Sequence, residues 1–207
     1  MLADGVTGNL DLWDYRRQVS DIYARVRAGQ GREAWERWRE ARDDLFAHHP
    51  QTPVEDTKRF SGLRYFPYDP AWRAIGTFVS EEGKTLDVGH SGRGTTSFRR
   101  LGTVEFDVAG RSGRFGLYWL TGYGGGVFLP FRDATNGEET YGGGRYLLDA
   151  AKGADLGHEG ESIVLDFNYA YHPSCVHSSR WSCPLAPPEN RLDFPVTAGE
   201  MLPTAAA

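Results

Sequence analysis

The first fifty residues carry apolar side chains at helical spacing. Between residues 12 and 26 the apolar positions recur every three or four residues, and charged side chains fill the positions between them. Asp11 is expected to cap this helix, and the glycine-containing segment 29–31 is expected to end it. A second helix is predicted from about Arg32 to Ala47. The pattern therefore predicts a helical hairpin, with no sheet strand before Pro50.

After the hairpin, the pattern changes to short apolar runs separated by glycine, proline and polar clusters. No helix-length segment separates these runs, which excludes parallel βαβ winding. The predicted fold is mainly β: an antiparallel β-sandwich or barrel preceded by an N-terminal helical hairpin. About seven strands are expected: Ala74–Ser80, Val104–Val108, Phe115–Leu120, Val127–Phe131, Tyr146–Leu148, Ile163–Phe167 and Leu192–Val196.

The length of the chain limits the number of domains, and its net charge limits the kinds of partner. The 207 residues fit one domain, in which the hairpin and linker (1–56) pack on a β domain (57–202), followed by a frayed tail (203–207). A net charge of −5 argues against nucleic acid as a partner. No apolar run approaches the ~20 residues that span a bilayer, so no membrane partner is expected. The N-terminus lacks the layout of a secretory signal, which predicts a cytoplasmic location. The oligomeric state is left open.

A polar cluster follows the strand predicted at Val127–Phe131. Arg132 and Asp133 leave that strand, and Arg145 returns after a glycine-rich turn. Two neighbouring guanidinium groups can clamp a carboxylate or phosphate through paired hydrogen bonds. Alternatively, these charges pair among themselves and with the acidic pair 138–139, and so fasten the loop. Both interpretations stay open at the level of sequence.

Asp166 and Asn168 flank Phe167 in a predicted strand, so both side chains should point to one face. A carboxylate in the apolar run IVLDF needs a partner, and Arg132 or Arg145 is the predicted one, at the wall of the main cavity. Such an aspartate is either a general base or a structural strut. The predicted ligand-binding residues are Arg132, Asp133, Tyr141, Arg145, Asp166, Asn168 and Tyr171, and the catalytic candidates are Asp166, Asp133 and Cys175.

Four residues that commonly bind metals follow one another closely: His172, Cys175, His177 and Cys183. Their number fits a tetrahedral site for zinc or another transition metal, although the spacing matches no common zinc motif. The alternatives are a Cys175–Cys183 disulfide, two buried thiols, or a nucleophilic Cys175 activated by a histidine. In each case the short, proline-flanked loop predicts that the two cysteines lie close in space.

Long segments of the chain resemble one family. LPFRDATNGEETYGGGRYL, LDFNYAYHPSCVHSSRWSCPLAPPENRL and the closing AGE are similar to the bacterial family called domain of unknown function 1684, and the resemblance extends from about Trp38 to Glu200. It implies no particular activity. Family members often carry asparagine at the position of His172, which weakens His172 as a metal ligand. The matching positions are Phe131, Arg132, Asp133, Thr135, Gly137, Thr140, Tyr141, Gly144, Arg145, Tyr146, Asp166, Phe167, Asn168, Tyr171, Pro173, Cys175, Cys183, Pro184, Asn190 and Glu200.

Two functions remain in competition. The leading hypothesis is a pocket for a small anionic or polar molecule, with or without catalysis, built by the arginine and aspartate cluster. The second is a non-enzymatic structural or interaction protein in which the cysteine and histidine residues form a metal or disulfide clip.

Overall fold

Two antiparallel helices open the chain in the computed structural model, which describes residues 6–81 and 83–203. Helix α1 spans Val6–Ala28 and α2 spans Gly31–His48. The predicted hairpin is confirmed, and residues 6–49 contain no strand. The predicted cap at Asp11 is wrong, because the helix already begins at Val6 and Asp11 lies within it. Of the tail predicted at 203–207, residues 204–207 lie outside the described residues.

Neither described helix is long and apolar enough to cross a membrane.

The strands that follow form one curled antiparallel sheet, a half-barrel, together with a separate two-stranded pair. This confirms the mainly β fold with two N-terminal helices. The strands are β1 Arg64–Tyr65, β2 Arg73–Ser80, β3 Thr85–Gly89, β4 Thr95–Val108, β5 Arg111–Leu120, β6 Gly126–Phe131, β7 Arg145–Asp149, β8 His158–Glu159, β9 Ser162–Asp166 and β10 Glu200–Met201.

The long strand β4 is the centre of the sheet. The sheet order is β7-β6-β5-β4-β2-β9-β8, with β3 also paired to β4, while β1 pairs with β10. β4 and β5 form a hairpin whose turn residues, Ala109 and Gly110, have φ values of 49° and 72°. Positive φ at both positions gives a turn whose twist suits the paired strands.

The strand predicted at Leu192–Val196 is wrong. This segment bends at residues 193–194 and forms no ladder. It contacts the sheet beside an isolated bridge between Arg132 and Arg191, where the Leu192 N–H donates to the Arg132 carbonyl at 2.9 Å. Its apolar side chains at 192, 194 and 196 are buried while their neighbours are exposed. The alternation of buried and exposed residues therefore arises because one side of this segment packs on the apolar core, without strand pairing. Pro195 also lacks the N–H that a ladder needs.

Two apolar clusters occupy opposite faces of the sheet, since neighbouring residues on one strand point to opposite sides. The first core holds Leu117 of β5 and Leu147 of β7, and the segment 192–198 covers it. The second core holds the adjacent Tyr118 and Tyr146, and the helical hairpin covers it.

Candidate functional site

The Asp133 carboxylate and the Arg145 guanidinium form an ion pair closed off from solvent. Both side chains are 0% exposed, and Arg145 Nη2 lies 2.9 Å from Asp133 Oδ2. Arg145 also donates to the carbonyls of Val196 and Ala198. Asp133 Oδ1 accepts from the Thr135 hydroxyl at 2.6 Å. The two charges thus pair with each other and fasten the chain around them, and neither faces solvent.

Asp166 and Asn168 form a local hydrogen-bonded unit at the end of β9. Asp166 Oδ1 accepts from the backbone N–H of Asn168 at 3.0 Å and from its side-chain amide at 2.8 Å. The side-chain amide of Asn168 accepts from the backbone N–H of Asp69 and donates to its carbonyl. The backbone carbonyl of Asn168 accepts from the Trp35 indole N–H at 2.9 Å. Burial raises the pKa of Asp166. The unit ties the end of β9 to helix α2 and to the segment before β2.

The predicted ion pair between Asp166 and Arg132 or Arg145 is wrong. The strands that carry Asp166 and Arg145, β9 and β7, have four others between them in the sheet order. Arg145 is bound to Asp133, and Arg132 lies half-buried with Nε unpartnered among the described residues. The partner that a buried carboxylate requires is supplied by Asn168, two residues along the chain.

A second buried charge network centres on Glu200 in β10, whose side chain is 0% exposed. Glu200 Oε2 accepts from Arg42 Nη2 at 2.8 Å and from the backbone N–H of His172 at 3.2 Å. Glu200 Oε1 lies 3.6 Å from His172 Nδ1 and 3.3 Å from His177 Nε2. His172 Nε2 accepts from the backbone N–H of Tyr141, so the ring proton resides on Nδ1, facing the carboxylate.

The network holds its members in defined protonation states. Burial alone would raise the pKa of Glu200, but Arg42 and the two histidines outweigh it and hold that pKa well below its usual value. Burial lowers the pKa of His172. Glu200 is therefore an anion and His172 is neutral at pH 7.

The two cysteines are free thiols, Cys175 half-buried and Cys183 buried. Each has the largest influence on the pKa of the other, which is consistent with their predicted proximity. Cys175 lies on the short 3-10 turn Ser174–Val176, and Cys183 donates its backbone N–H to Ser91 Oγ at 3.1 Å. Hydrogen bonds from the thiol of Cys183 and the hydroxyls of Ser91 and Tyr141 lower the pKa of Cys175 to about 6 against the effect of burial. The bond to Cys175, aided by burial, raises the pKa of Cys183.

The four residues predicted as metal ligands separate into two pairs. His172 and His177 face Glu200, whereas the largest influence on the pKa of each cysteine is the other cysteine. In the described ranges, no group of three or more histidine, cysteine, aspartate or glutamate side chains is arranged to hold a metal ion. The four therefore do not form a single tetrahedral site.

A cavity of about 220 Å³ lies between the helical hairpin and the sheet, and we call it the hairpin cavity. It contains Tyr171 and His172 of the predicted site residues. A larger groove of about 900 Å³ beside residues 189–194 is open and mixes acidic with basic side chains. The residues that line the hairpin cavity are Leu12, Tyr15, Arg16, Val19, Tyr23, Arg42, Phe46, Gln51, Pro53, Tyr146, Lys152, Ala154, Tyr171, His172, Pro173, Ser174 and Trp181.

Three residues of this wall carry a buried polar atom that lacks a hydrogen-bond partner among the described residues: the Tyr23 hydroxyl, the Trp181 indole nitrogen and His172 Nδ1. Of these, His172 Nδ1 faces the Glu200 carboxylate at 3.6 Å. Arg42 also lines the cavity, and its guanidinium carbon lies 5.0 Å from the Trp38 ring centre and 5.1 Å from that of Tyr171. Such stacking fixes the guanidinium in the wall. The hairpin cavity is therefore mostly apolar with a few fixed polar groups, the usual form of a small-molecule site.

Sequence reasoning missed Arg42 and Glu200 as site residues. Arg42 follows Trp38 by four positions and precedes Phe46 by four, so it lies on the apolar face of α2. A charged residue on such a face signals a buried partner. The only sequence signal for Glu200 was its place in the closing AGE segment, which matches the family pattern.

Comparison with known proteins gives a family and a related structure. The family model described as "Protein of unknown function (DUF1684)" matches residues 58–201. The solution NMR structure of the uncharacterized protein from gene locus rrnAC0354 of Haloarcula marismortui is 37% identical, with a TM-score of 0.58, over 82% of this chain and 95% of that one. No curated protein matches. The chain belongs to the DUF1684 family of proteins of unknown function.

Proposed function

We propose that the hairpin cavity binds a small organic anion with an apolar body. The observation that carries the proposal is the sign of the charges in the wall. Arg16, Arg42 and Lys152 line the cavity, and no carboxylate from the described residues lines it with them. Glu200 and Asp149 pair with Arg42 and Lys152, and neither acid lines the cavity. Cations around a mostly apolar space favour an anionic group.

The unpartnered polar atoms support the same ligand. A buried donor left without a partner costs about 1–3 kcal/mol. The Tyr23 hydroxyl and the Trp181 indole N–H are both donors in the wall of the cavity. A carboxylate oxygen accepts hydrogen bonds from both kinds of donor. The same ligand group would thus satisfy the charge and the open hydrogen bonds.

The size of the hairpin cavity limits the ligand. Drug-sized ligands occupy pockets of about 300–1,000 Å³, whereas an engineered apolar cavity of about 150 Å³ binds benzene. At about 220 Å³, the cavity lies between these two cases. A single aromatic ring with a carboxylate, or a short branched acid, fits that volume.

The competing role, a structural or interaction protein with a metal or disulfide clip, has less support. Cys175 and Cys183 are thiols, and the histidines at 172 and 177 face Glu200. Two wider expectations, a cytoplasmic location and a bacterial source, stay predictions.

The test is a titration of isotope-labelled protein with benzoate, followed by NMR. Benzamide is the matched neutral probe, since it has the same ring without the charge. We expect benzoate to shift the signals of Tyr23, Ser174 and the Trp181 indole, and to bind at least about tenfold tighter than benzamide, a difference of about 1.4 kcal/mol. Equal affinity for the two probes, or shifts confined to other regions, would overturn the proposal.

Two variants sharpen the titration. Tyr23→Phe removes one donor and keeps the ring, so we expect benzoate affinity to fall by about 1 kcal/mol. Lys152→Met removes a cation at the mouth and should weaken benzoate while leaving benzamide unchanged. Tyr123→Phe is the control, because that side chain is fully exposed and does not line the cavity.

A further inference from the structure

A second cavity, of about 540 Å³, lies where helix α2 begins and strand β9 ends, and we call it the Asp166 cavity. It shares no lining residue with the hairpin cavity. Val26, Leu156 and Val164 form its apolar wall, and its polar groups come from β2, β9 and the start of α2. The Asp166 cavity is therefore a separate space with its own chemistry.

One carboxylate oxygen of Asp166 opens into this cavity. Asp166 Oδ1 is held by two N–H donors of Asn168, at 3.0 and 2.8 Å. Oδ2 has no hydrogen-bond partner among the described residues, and it is not sealed from solvent although the residue is only 5% exposed. Since Asp166 lines the cavity, Oδ2 reaches solvent through it. A bound molecule can thus donate to a carboxylate oxygen whose direction Asn168 fixes.

Tyr169 presents a second polar group of the same kind. The side chain is 4% exposed, and its ring packs edge-on against Trp38 with the ring centres 5.0 Å apart. Its hydroxyl makes no hydrogen bond within the described ranges and is likewise not sealed from solvent. Two almost fully buried side chains therefore present open polar atoms to one cavity, an arrangement typical of a ligand site.

The remaining polar wall is positive. Gln30 and Gly31 line the cavity at the start of α2, and Gln30 gives the helix no side-chain cap, so the first N–H groups lack an intrahelical partner. No atom of the described residues lies within 4 Å of where a side chain on Gly31 would stand. Arg73 lies opposite Asp166 in the register of β2 and β9, so both side chains share one face of the sheet. The helix start and the guanidinium both favour a carboxylate.

We propose that the Asp166 cavity binds a free amino acid with an apolar side chain. The ammonium group donates to Asp166 Oδ2, and the carboxylate accepts from the first N–H groups of α2 and from Arg73. The side chain packs on the apolar wall. A ligand with only one of these charges leaves either Asp166 or the positive groups without a counter-charge, so the site selects a zwitterion. This binding is independent of the anion proposed for the hairpin cavity.

The experiment titrates the isotope-labelled full-length protein with three probes that share one carbon skeleton. L-leucine carries both charges, 4-methylpentanoate lacks the ammonium group, and 3-methylbutylamine lacks the carboxylate. We expect L-leucine to shift the backbone amide signals of Gly31 and Asn168, and to bind at least about tenfold tighter than either one-charge probe. Equal affinity for L-leucine and either probe, unshifted signals at these two residues, or a Kd for L-leucine above about 10 mM would overturn the proposal.

Two variants assign the charges of the ligand. Asp166→Asn keeps the shape and an acceptor for Asn168, so L-leucine should bind at least about tenfold more weakly while 4-methylpentanoate binds no more weakly. Arg73→Gln should weaken L-leucine and 4-methylpentanoate by about threefold and leave 3-methylbutylamine unchanged. Because Arg73 is exposed, this second variant keeps the fold and tests the proposal by itself.

Arg99→Gln is the matched control, since Arg99 is an exposed arginine on β4 that does not line the cavity, and its variant should bind all three probes as the wild type does. The proposal fails if folded Asp166→Asn keeps the wild-type affinity for L-leucine, or if Arg73→Gln affects binding no more than Arg99→Gln does.

Discussion

The two faces of the sheet are packed by different kinds of side chain. In the first core the ring of Phe167 lies 5.3 Å from that of Phe131 and 5.7 Å from that of Phe106, centre to centre. In the second core the aromatic residues are mostly tyrosine and tryptophan, and the cation of Arg42 is stacked among them. Apart from Trp72, the buried aromatic residues of the first core are all phenylalanines, whereas seven of the nine in the second core carry a hydroxyl or an N–H.

This difference explains where the hairpin cavity lies. Phenylalanine rings interlock without needing hydrogen bonds, so the first core closes tightly. Every tyrosine or tryptophan buried in the second core adds a hydroxyl or N–H that requires a partner. Some find one, as Tyr146 does on the Pro184 carbonyl at 2.6 Å, whereas Tyr23 does not. The face that carries open hydrogen bonds is also the face on which we place the ligand.

The largest expected effect is a truncation in the first core. Phe167 is fully buried and contacts four other aromatic rings, so Phe167→Ala leaves a cavity that its neighbours cannot fill. We expect the free energy of unfolding to fall by about 4 kcal/mol in denaturant titration. A loss below about 2 kcal/mol would show that this face is packed more loosely than the structure implies.

The second largest effect should come from the charge network of the second core. Glu200→Gln preserves shape but leaves Arg42 buried without its counter-charge, so we expect a loss of about 3 kcal/mol. Glu81→Gln is the matched control, because Glu81 is 46% exposed in its pair with Arg100 and should cost under about 1 kcal/mol. Equal losses in the two variants would mean that the Arg42 pair behaves as a surface pair.

How far the sequence predicts this molecule depends on the distance along the chain over which each contact acts. The helical hairpin was predicted correctly because its periodicity is local. The run IVLDF correctly indicated that Asp166 is buried, yet its partner is the nearby Asn168. No local pattern reports the strand order that separates Asp166 from Arg145, and none brings Glu200 to Arg42 across 158 positions. Those contacts follow from how the strands assemble.

The next prediction concerns pH. Because burial lowers the pKa of His172, the folded protein binds that proton less readily than the unfolded chain, where histidine titrates near 6.5. The stability that neutral His172 contributes is therefore present above about pH 6.5 and is lost as the pH falls below it. Glu200, whose pKa is depressed, loses its contribution only below about pH 4.3, where the unfolded carboxyl titrates. Between these two values the contribution of His172 changes with pH while that of Glu200 does not, so a His172 variant separates the two.

The measurement compares the unfolding free energy at pH 7.5 and 5.5 for the wild type and for His172→Asn. One proton contributes at most about 1.4 kcal/mol per pH unit, so we expect the variant to lose roughly 1 kcal/mol of the pH dependence. His48→Asn is the control, since its side chain is 76% exposed. If His172→Asn keeps the full wild-type slope, the histidine is not held neutral by burial.

The smallest effect compares two tyrosines of the second core. Tyr23 and Tyr146 are both buried and both line the hairpin cavity, but only the Tyr146 hydroxyl has a partner, the Pro184 carbonyl. Tyr146→Phe removes a hydrogen bond and leaves that carbonyl unsatisfied, which should cost about 1 kcal/mol. Tyr23→Phe removes an unpartnered hydroxyl, so its unfolding free energy should stay within about 0.5 kcal/mol of the wild type. A large loss for Tyr23→Phe would show that its hydroxyl is already satisfied in the free protein, and the ligand would then lose one of its two proposed donors.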